Sequence, residues 1–298
     1  MSHIITVVGA TGHIGHALTE QLLKNGTKVR AIGRTSDKLA ALTRQGAEPH
    51  VGSVDDTKFA TTALRGADAA FLMIPPNYSA PDMRADQRRL GASLIEAVKQ
   101  SGIKRVVMLS SLGGGLPAGT GPIVGLHELE NAVRGVAGLS AVILRAAYFM
   151  ENHLGSIGLI KHAGINGSSM RPDVRLPMVA TRDIANVAAE ILSALTFTGV
   201  TVREILGPRD YSMQEATAMI GAAIGKPELA YLQLNDADFI KGLEGAGFST
   251  DFARKYVEMN AAFNAGTIQN TFKRSAANTT ATTLEQFVRD VFAPAFQA

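Results

Sequence analysis

The chain reads as an α/β protein: a Rossmann-type doubly wound parallel sheet with a smaller C-terminal lobe on the substrate side. Three observations predict this. Apolar runs of strand length alternate with helical patterns over the first half of the chain. Those runs are continuously apolar, as strands covered on both faces are. The first of them enters a glycine-rich turn that opens a helix at once.

The elements follow in order. Ile4, Ile5, Thr6, Val7 and Val8 form the first strand, and Ile14, Ala17, Leu18 and Leu22 the apolar stripe of the first helix, which Gly26 stops. A second strand is expected at 28–33, a helix at 37–45, a short third strand at 50–52 and a helix at 57–64. The run 69–74 is a buried strand stopped by Pro75 and Pro76, and a long helix spans 83–101. Residues 105–109 make the fifth strand, ending at Ser110 and Ser111, and a helix at 126–136 leads to a sixth strand at 141–144. The rhythm then breaks. Residues 155–177 are glycine-rich without a period and read as loops. A helix returns at 181–195 with Asp183 in its first turn, followed by a strand at 200–206 and a helix at 212–224. The stretch 227–281 reads mostly as helix and loop, and Leu284, Phe287, Val288, Val291 and Phe292 form a last apolar stripe, capped by Thr283 with Gln286. The expected division is a nucleotide-binding domain at 1–150, also taking in about 179–207, and a smaller, partly interleaved lobe at 151–298.

Composition narrows the function. At 298 residues, 46% hydrophobic and 18% charged, the chain can bury a large core. Net charge is only +3 and the basic residues are scattered, which gives nucleic-acid binding little support. With no cysteine there is no disulfide, thiolate metal site or cysteine nucleophile, and no metal site is expected. The sequence shows neither a charged leader nor an apolar run of membrane-spanning length, so a cytoplasmic protein is the expectation.

The glycines of Gly9-Ala10-Thr11-Gly12-His13-Ile14-Gly15 stand where a dinucleotide fold needs them. The first permits a sharp turn, the second a close approach of the pyrophosphate, the third close packing of helix on strand. Free N–H groups at the helix start favour phosphate. Gly9, Thr11, Gly12, His13, Ile14 and Gly15 are therefore the candidate cofactor residues. At the end of the second strand an acidic residue would favour NAD; this chain has Arg34, with Thr35, Ser36 and Lys38 beside it. Arg34 and Lys38 favour a 2′-phosphate and hence NADP(H), with NAD(H) the alternative if Arg34 is merely solvated. Asp55 and Asp56 either cap a helix or lie by the adenine amino group.

The chain resembles the atypical short-chain dehydrogenase/reductase superfamily and, within it, the NmrA-like group. The resemblance rests on the glycine turn, Arg34, Gly52 to Asp56, the run from Phe71 to Pro76, Ser110-Ser111, the stretch from Leu144 to Asn152, and Thr181-Arg182-Asp183-Ile184-Ala185. It covers about residues 1–225, and the rest only in general layout. That group contains NADPH-dependent quinone reductases, a dye reductase, plant phenylpropanoid reductases, and regulators that bind NADP without turnover. The resemblance thus implies NADP binding and, for this chain, one of two functions. One is hydride transfer from NADPH to a quinone or similar conjugated acceptor; the other is a non-catalytic redox sensor with a protein partner. Monomer and homodimer both stay open.

The superfamily's usual acid is a tyrosine with a lysine four residues on. Four residues after Tyr78, Tyr148, Tyr211, Tyr231 and Tyr256 come Asp82, Asn152, Glu215, Asn235 and Asn260, so the pair is missing. A quinone relaxes the need for it, because its reduced form is a stabilised phenolate that water can protonate. Quinone-reductase-like relatives tend to have a histidine placed as His127 is, often with a glutamate four residues later. Here that place is Asn131, with Glu130 one residue short. His127 and Tyr148 are the catalytic candidates, His127 having a helix-surface or cofactor-packing role as its alternative. Ile74, Pro75, Ser110 and Ser111 lie at strand ends beside the expected cofactor, and Pro76, Tyr148 and Asn152 are expected to line the substrate cleft.

Overall fold

The computed structural model describes residues 3–298. Its centre is a seven-stranded sheet whose paired neighbours are all parallel. The strands are β1 (Ile4–Val7), β2 (Lys28–Gly33), β3 (Glu48–Val51), β4 (Ala69–Leu72), β5 (Arg105–Ser111), β6 (Ser140–Ala146) and, later in the chain, β10 (Val200–Ile205). Their order is β10-β6-β5-β4-β1-β2-β3. The chain turns back between β1 and β4, and a ligand crevice opens at that switch point, beyond the carboxyl ends of the strands.

Side chains alternate across the sheet with the period of two that a pleated strand imposes. Ile5, Val7, Phe71, Val107, Leu109, Val142 and Leu144 enter one core; Ala70, Leu72, Val106, Met108, Ala141 and Ile143 enter the other. Helices α1 (His13–Lys24), α2 (Ser36–Arg44) and α7 (Thr181–Ala194) cover the first face, and α3 (Thr57–Leu64), α4 (Met83–Ser101) and α5 (Ile123–Arg134) the second. Strand β3 begins two residues earlier than the apolar pattern indicates. It is an edge strand, and its register with β2 (Arg30 opposite Glu48) sets its start rather than hydrophobicity.

The expectation of loops at 155–177 is corrected by the structure. After β7 (Tyr148–Phe149) come a 3-10 helix at Met150–Ser156, α6 (Ile157–Ala163), β8 (Asn166–Ser168) and β9 (Arg175–Val179). These pieces are too short to show a period, and their strands exist through distant partners. Strand β9 lies between β7 and β11 (Asp210–Ser212), and β8 pairs with β12 (Tyr231–Gln233). The lobe continues with α8 (Met213–Ala223), α9 (Asp236–Gly245), α10 (Thr250–Asn264) and a C-terminal helix that starts as α11 (Leu284–Phe287). Thr283 and Gln286 form the capping box there, and the helix then widens into a π turn at Val288–Phe292 before α12 (Ala293–Gln297).

Helix α10 lies across the crevice and is anchored along its length. The Ser249 N–H donates to the Tyr78 carbonyl at 2.9 Å, and Asp251 Oδ2 accepts from the Met83 N–H at 2.9 Å. At the other end Asn260 Nδ2 donates to Ser169 Oγ at 3.0 Å and Asn264 Nδ2 to the Ser169 carbonyl at 3.1 Å. Between them Gly121 has φ +55°, and any Cβ there would strike the Lys255 carbonyl. Among the described residues, no helix is long and apolar enough to cross a membrane.

Candidate active site

The turn from β1 to α1 is shaped by its glycines. Gly9 has φ +74°, and a Cβ there would lie 2.5 Å from Met73 Sδ. A Cβ on Gly15 would fall inside the carbonyl group of Gly9, so α1 closes on β1 only through bare backbone. Gly12 differs: a Cβ there meets nothing nearer than the Gly9 oxygen at 3.5 Å. Gly12 is also the N-cap of α1, with no capping side chain and no acidic residue in the first turn. The N–H groups of that turn therefore lack a side-chain acceptor, which is the condition for receiving a phosphate. Thr11, Gly12 and His13 are exposed on this rim, whereas Ile14 turns into the core.

At the end of β2, Gly33 brings the next part of the site against the first. A Cβ on it would lie 2.9 Å from Thr11 Cγ2. Arg34 follows, and Lys38 stands in the first half of α2; both are exposed, and among the described residues neither makes an ion pair. Arg34 opens on a cleft of about 370 Å³ walled by Pro76 to Ser79 and by Ala246 to Phe248 of the turn between α9 and α10. Asp56 is a cap, its Oδ1 accepting from the N–H groups of Lys58 and Phe59 at 2.9 and 3.1 Å. The Asp55 carboxylate is paired with Arg89.

The ends of β4 and β5 bring Ile74, Pro75, Pro76, Ser110 and Ser111 to the same edge. Ile74 is buried, Pro75 and Ser111 are half-buried and Pro76 is exposed. The Ser110 hydroxyl is turned away from the crevice and donates to Glu130 Oε1 at 2.6 Å. Glu130, only 2% exposed, also receives Arg145 Nε at 3.0 Å and an Arg145 guanidinium NH₂ group at 2.6 Å. This pairing holds the Arg145 guanidinium above the usual arginine range. The loop Gly113 to Gly115 is draped over the cluster, since a Cβ on Gly114 would strike Glu130 and Ser110.

His127 fastens that loop. Its Nδ1 lies 3.0 Å from the Gly114 carbonyl, which can only accept, so Nδ1 carries the proton. Nε2 then accepts from Asn131 Nδ2 at 2.9 Å. Both ring nitrogens are spent inside the protein.

Beyond β6, Tyr148 pairs with Met178 through β7 and β9. Its phenol is half-buried, and burial, with Tyr256 of α10 and Tyr231 as neighbours, raises its pKa well above the usual value. Burial also raises Tyr256. Tyr231, in contrast, is committed: its hydroxyl meets Ser168 Oγ at 2.7 Å and the Met170 carbonyl at 2.9 Å, and burial pushes its pKa up to about 12. His153 lies under Tyr148 with ring centroids 5.8 Å apart, and burial lowers its pKa to about 4. Glu151 is turned elsewhere, accepting from the Thr181 backbone and hydroxyl at the start of α7.

A band of rings completes the crevice wall. Tyr78 lies 5.3 Å from Phe248 and 5.1 Å from Phe252, and Tyr256 lies 5.7 Å from Phe252 and 5.8 Å from Phe239. Glu130 and Tyr256 are the residues that motif reading does not single out for the site. The signal for Glu130 is a lone acid one place off a histidine-centred pattern. For Tyr256 there is none, because α10 reaches the crevice only through tertiary packing. Among the described residues, no group of His, Cys, Asp or Glu side chains is placed to hold a metal ion.

The model of the NmrA-like family matches residues 1–288. Over 256 residues the chain is 28% identical to quinone oxidoreductase 2 of Escherichia coli, covering 84% of each chain. It is 27% identical over 263 residues to an NAD(P)H azoreductase of Xenophilus azovorans, covering 87% of this chain and 86% of that one. Among solved structures, the NADPH complex of an Escherichia coli quinone oxidoreductase superposes with a TM-score of 0.80 at 24% identity, over 97% of this chain and 99% of the other. A triphenylmethane reductase of Citrobacter sp. gives a TM-score of 0.80 at 18% identity over the whole of both chains.

Proposed function

The chain belongs to the NmrA-like family, and on that premise we propose that it is an NADPH-dependent reductase that transfers hydride to a quinone or similar conjugated acceptor. The observation that carries the reading is the pairing of the uncapped glycine turn at α1 with the unpaired Arg34 at the end of β2. The first suits a pyrophosphate and the second a 2′-phosphate, so the residues fit NADP(H). The relatives that cover most of the chain include a quinone oxidoreductase and an NAD(P)H azoreductase, which supports the same reaction class.

When bound, the reduced nicotinamide supplies a hydride, and the chain's residues do the rest. The first turn of α1 would hold the pyrophosphate and Arg34 the 2′-phosphate, and Pro75, Ser111 and Tyr148, at or just past the ends of β4, β5 and β6, would border the nicotinamide half. Glu130, Arg145 and His127 hold the Gly113–Gly115 loop there, His127 acting through the Gly114 carbonyl as a positioning residue. With the Tyr–Lys pair missing, the second proton comes from water, which a quinone tolerates because hydride addition leaves a stabilised phenolate.

The test is steady-state oxidation of NADPH against a panel of benzoquinones, naphthoquinones and enones. Acceptor-dependent turnover is expected with quinones, and no turnover above background with any acceptor would refute the reading.

A further inference from the structure

The cleft beside Arg34 is built by parts of the chain that are far apart in sequence. Arg34 lines it from the end of β2, Pro76 to Ser79 from the segment after β4, and Ala246 to Phe248 from the α9–α10 turn, around a volume of about 370 Å³. No carboxylate lines it. Arg34 is exposed and has no partner among the described residues. Asn77 Oδ1 accepts from Ser79 Oγ at 3.2 Å, and its Nδ2, which can only donate, likewise has no partner among the described residues. A free guanidinium and a free amide donor, with no negative side chain beside them, suit an anion.

The wall from the C-terminal lobe is fixed in place and supplies shape rather than donors. The Ser249 N–H donates to the Tyr78 carbonyl at 2.9 Å, and the Phe248 ring lies 5.3 Å from Tyr78 and 5.2 Å from Phe252. The N–H groups of Ala246, Gly247 and Phe248 are spent on the carbonyls of Gly242, Glu244 and Leu243 at the end of α9. The flanking acids are engaged as well: Glu244 accepts from the Thr250 hydroxyl and Asp251 from the Met83 N–H. What the lobe brings to the cleft is therefore a methyl group, bare backbone and a ring. Such a wall displaces water from one side and lowers the local dielectric, which strengthens the pull of Arg34 on an anion in the cleft.

We propose that the 2′-phosphate of NADP(H) sits inside this cleft with the α9–α10 turn as its outer wall, so that the C-terminal lobe shares with Arg34 the choice of NADP(H) over NAD(H). The proposal rests on the reading of Arg34 as the partner of the 2′-phosphate and is independent of hydride transfer. It goes beyond that reading because the discriminating site is no longer confined to the end of β2. A charge placed on the lobe, far in sequence from the glycine turn, then alters the affinity for one nucleotide and leaves the other alone. Ala246 is the position for it: it is exposed, and its φ of −87° is open to any residue.

The test is calorimetric titration of NADP⁺ and NAD⁺ into the whole chain at low and high salt. Ala246→Glu brings a negative charge to the cleft and is expected to weaken NADP⁺ about fivefold, while NAD⁺ moves by less than about twofold. Ala246→Lys is expected to tighten NADP⁺ about threefold, again with little change for NAD⁺, and it keeps the test intact if the glutamate variant folds poorly. Ala246→Gln, uncharged, is expected to match wild type, and high salt to shrink both shifts. A wild-type preference for NADP⁺ that neither charge alters, or equal shifts for the two nucleotides, would overturn the proposal and leave the reading of Arg34 standing. Equal affinity of wild type for NADP⁺ and NAD⁺ would refute that reading and the proposal together.

Discussion

The Arg145 guanidinium holds the Glu130 carboxylate by two hydrogen bonds, of 3.0 and 2.6 Å, in a place where Glu130 is 2% exposed. Removing one partner of such a pair strands the other charge in a poor solvent, which costs far more than the pair itself contributes. Glu130→Ala should therefore lose about 3 kcal/mol or more of stability. Glu130→Gln, which still accepts from Arg145 and Ser110, should lose less. Urea denaturation of both variants checks the order, and a smaller loss for alanine than for glutamine would contradict it.

At Gly15 a single methyl group decides the approach of α1 to β1. Because its Cβ would overlap the Gly9 carbonyl, Gly15→Ala must push the helix start away from the strand. Overpacking of this kind costs about 1–3 kcal/mol. Dinucleotide affinity should fall by about tenfold or more, since the first-turn N–H groups move with the helix. Gly12→Ala, whose Cβ has room within the protein, should keep its melting temperature and lose affinity only. Thermal unfolding with and without NADPH distinguishes the two variants.

Arg34 is exposed and unpaired, so its loss has little to disturb in the protein alone. Arg34→Ala should leave stability unchanged and raise the Kd for NADPH by about tenfold or more, the worth of a hydrogen bond to a charged group. The Kd for NADH should move by less than about twofold. Equal weakening of both nucleotides would show that Arg34 does not read the 2′-phosphate.

His153 makes stability depend on pH. Its folded-state pKa is lowered from 6.5 to about 4 by burial. Between those values the unfolded chain binds the extra proton, so stability is fully present above pH 6.5 and falls as the pH is lowered toward 4. The shift amounts to about 3 kcal/mol. Denaturation midpoints measured from pH 4 to 7 should show this slope, and His153→Gln should flatten it.

The sheet domain was readable because its information is local. Helix 57–64 shows its start in the sequence through Asp56 as a candidate cap, and both it and helix 83–101 appear in the structure with the expected bounds. Strands β4, β5 and β6 are unbroken apolar runs, for which burial on both faces is the simple explanation. Residues 155–177 resisted because β8 has only three residues and is a strand only where β12 lies beside it. The glycine turn and Arg34 were legible for the same reason as the helices, since motif and element share one short stretch. Ser110 was legible as a strand end, but the direction of its hydroxyl depends on Glu130 from another element. Tyr256 was not legible at all: neither its neighbours in sequence nor its spacing records that α10 crosses to Tyr148.

The ties of Ser249 to Tyr78 and of Asn260 to Ser169 make α10 a brace between distant parts of the chain. One end is fastened to the segment that follows β4 and the other to the segment that follows β8, so displacing the helix as a whole means breaking both bonds.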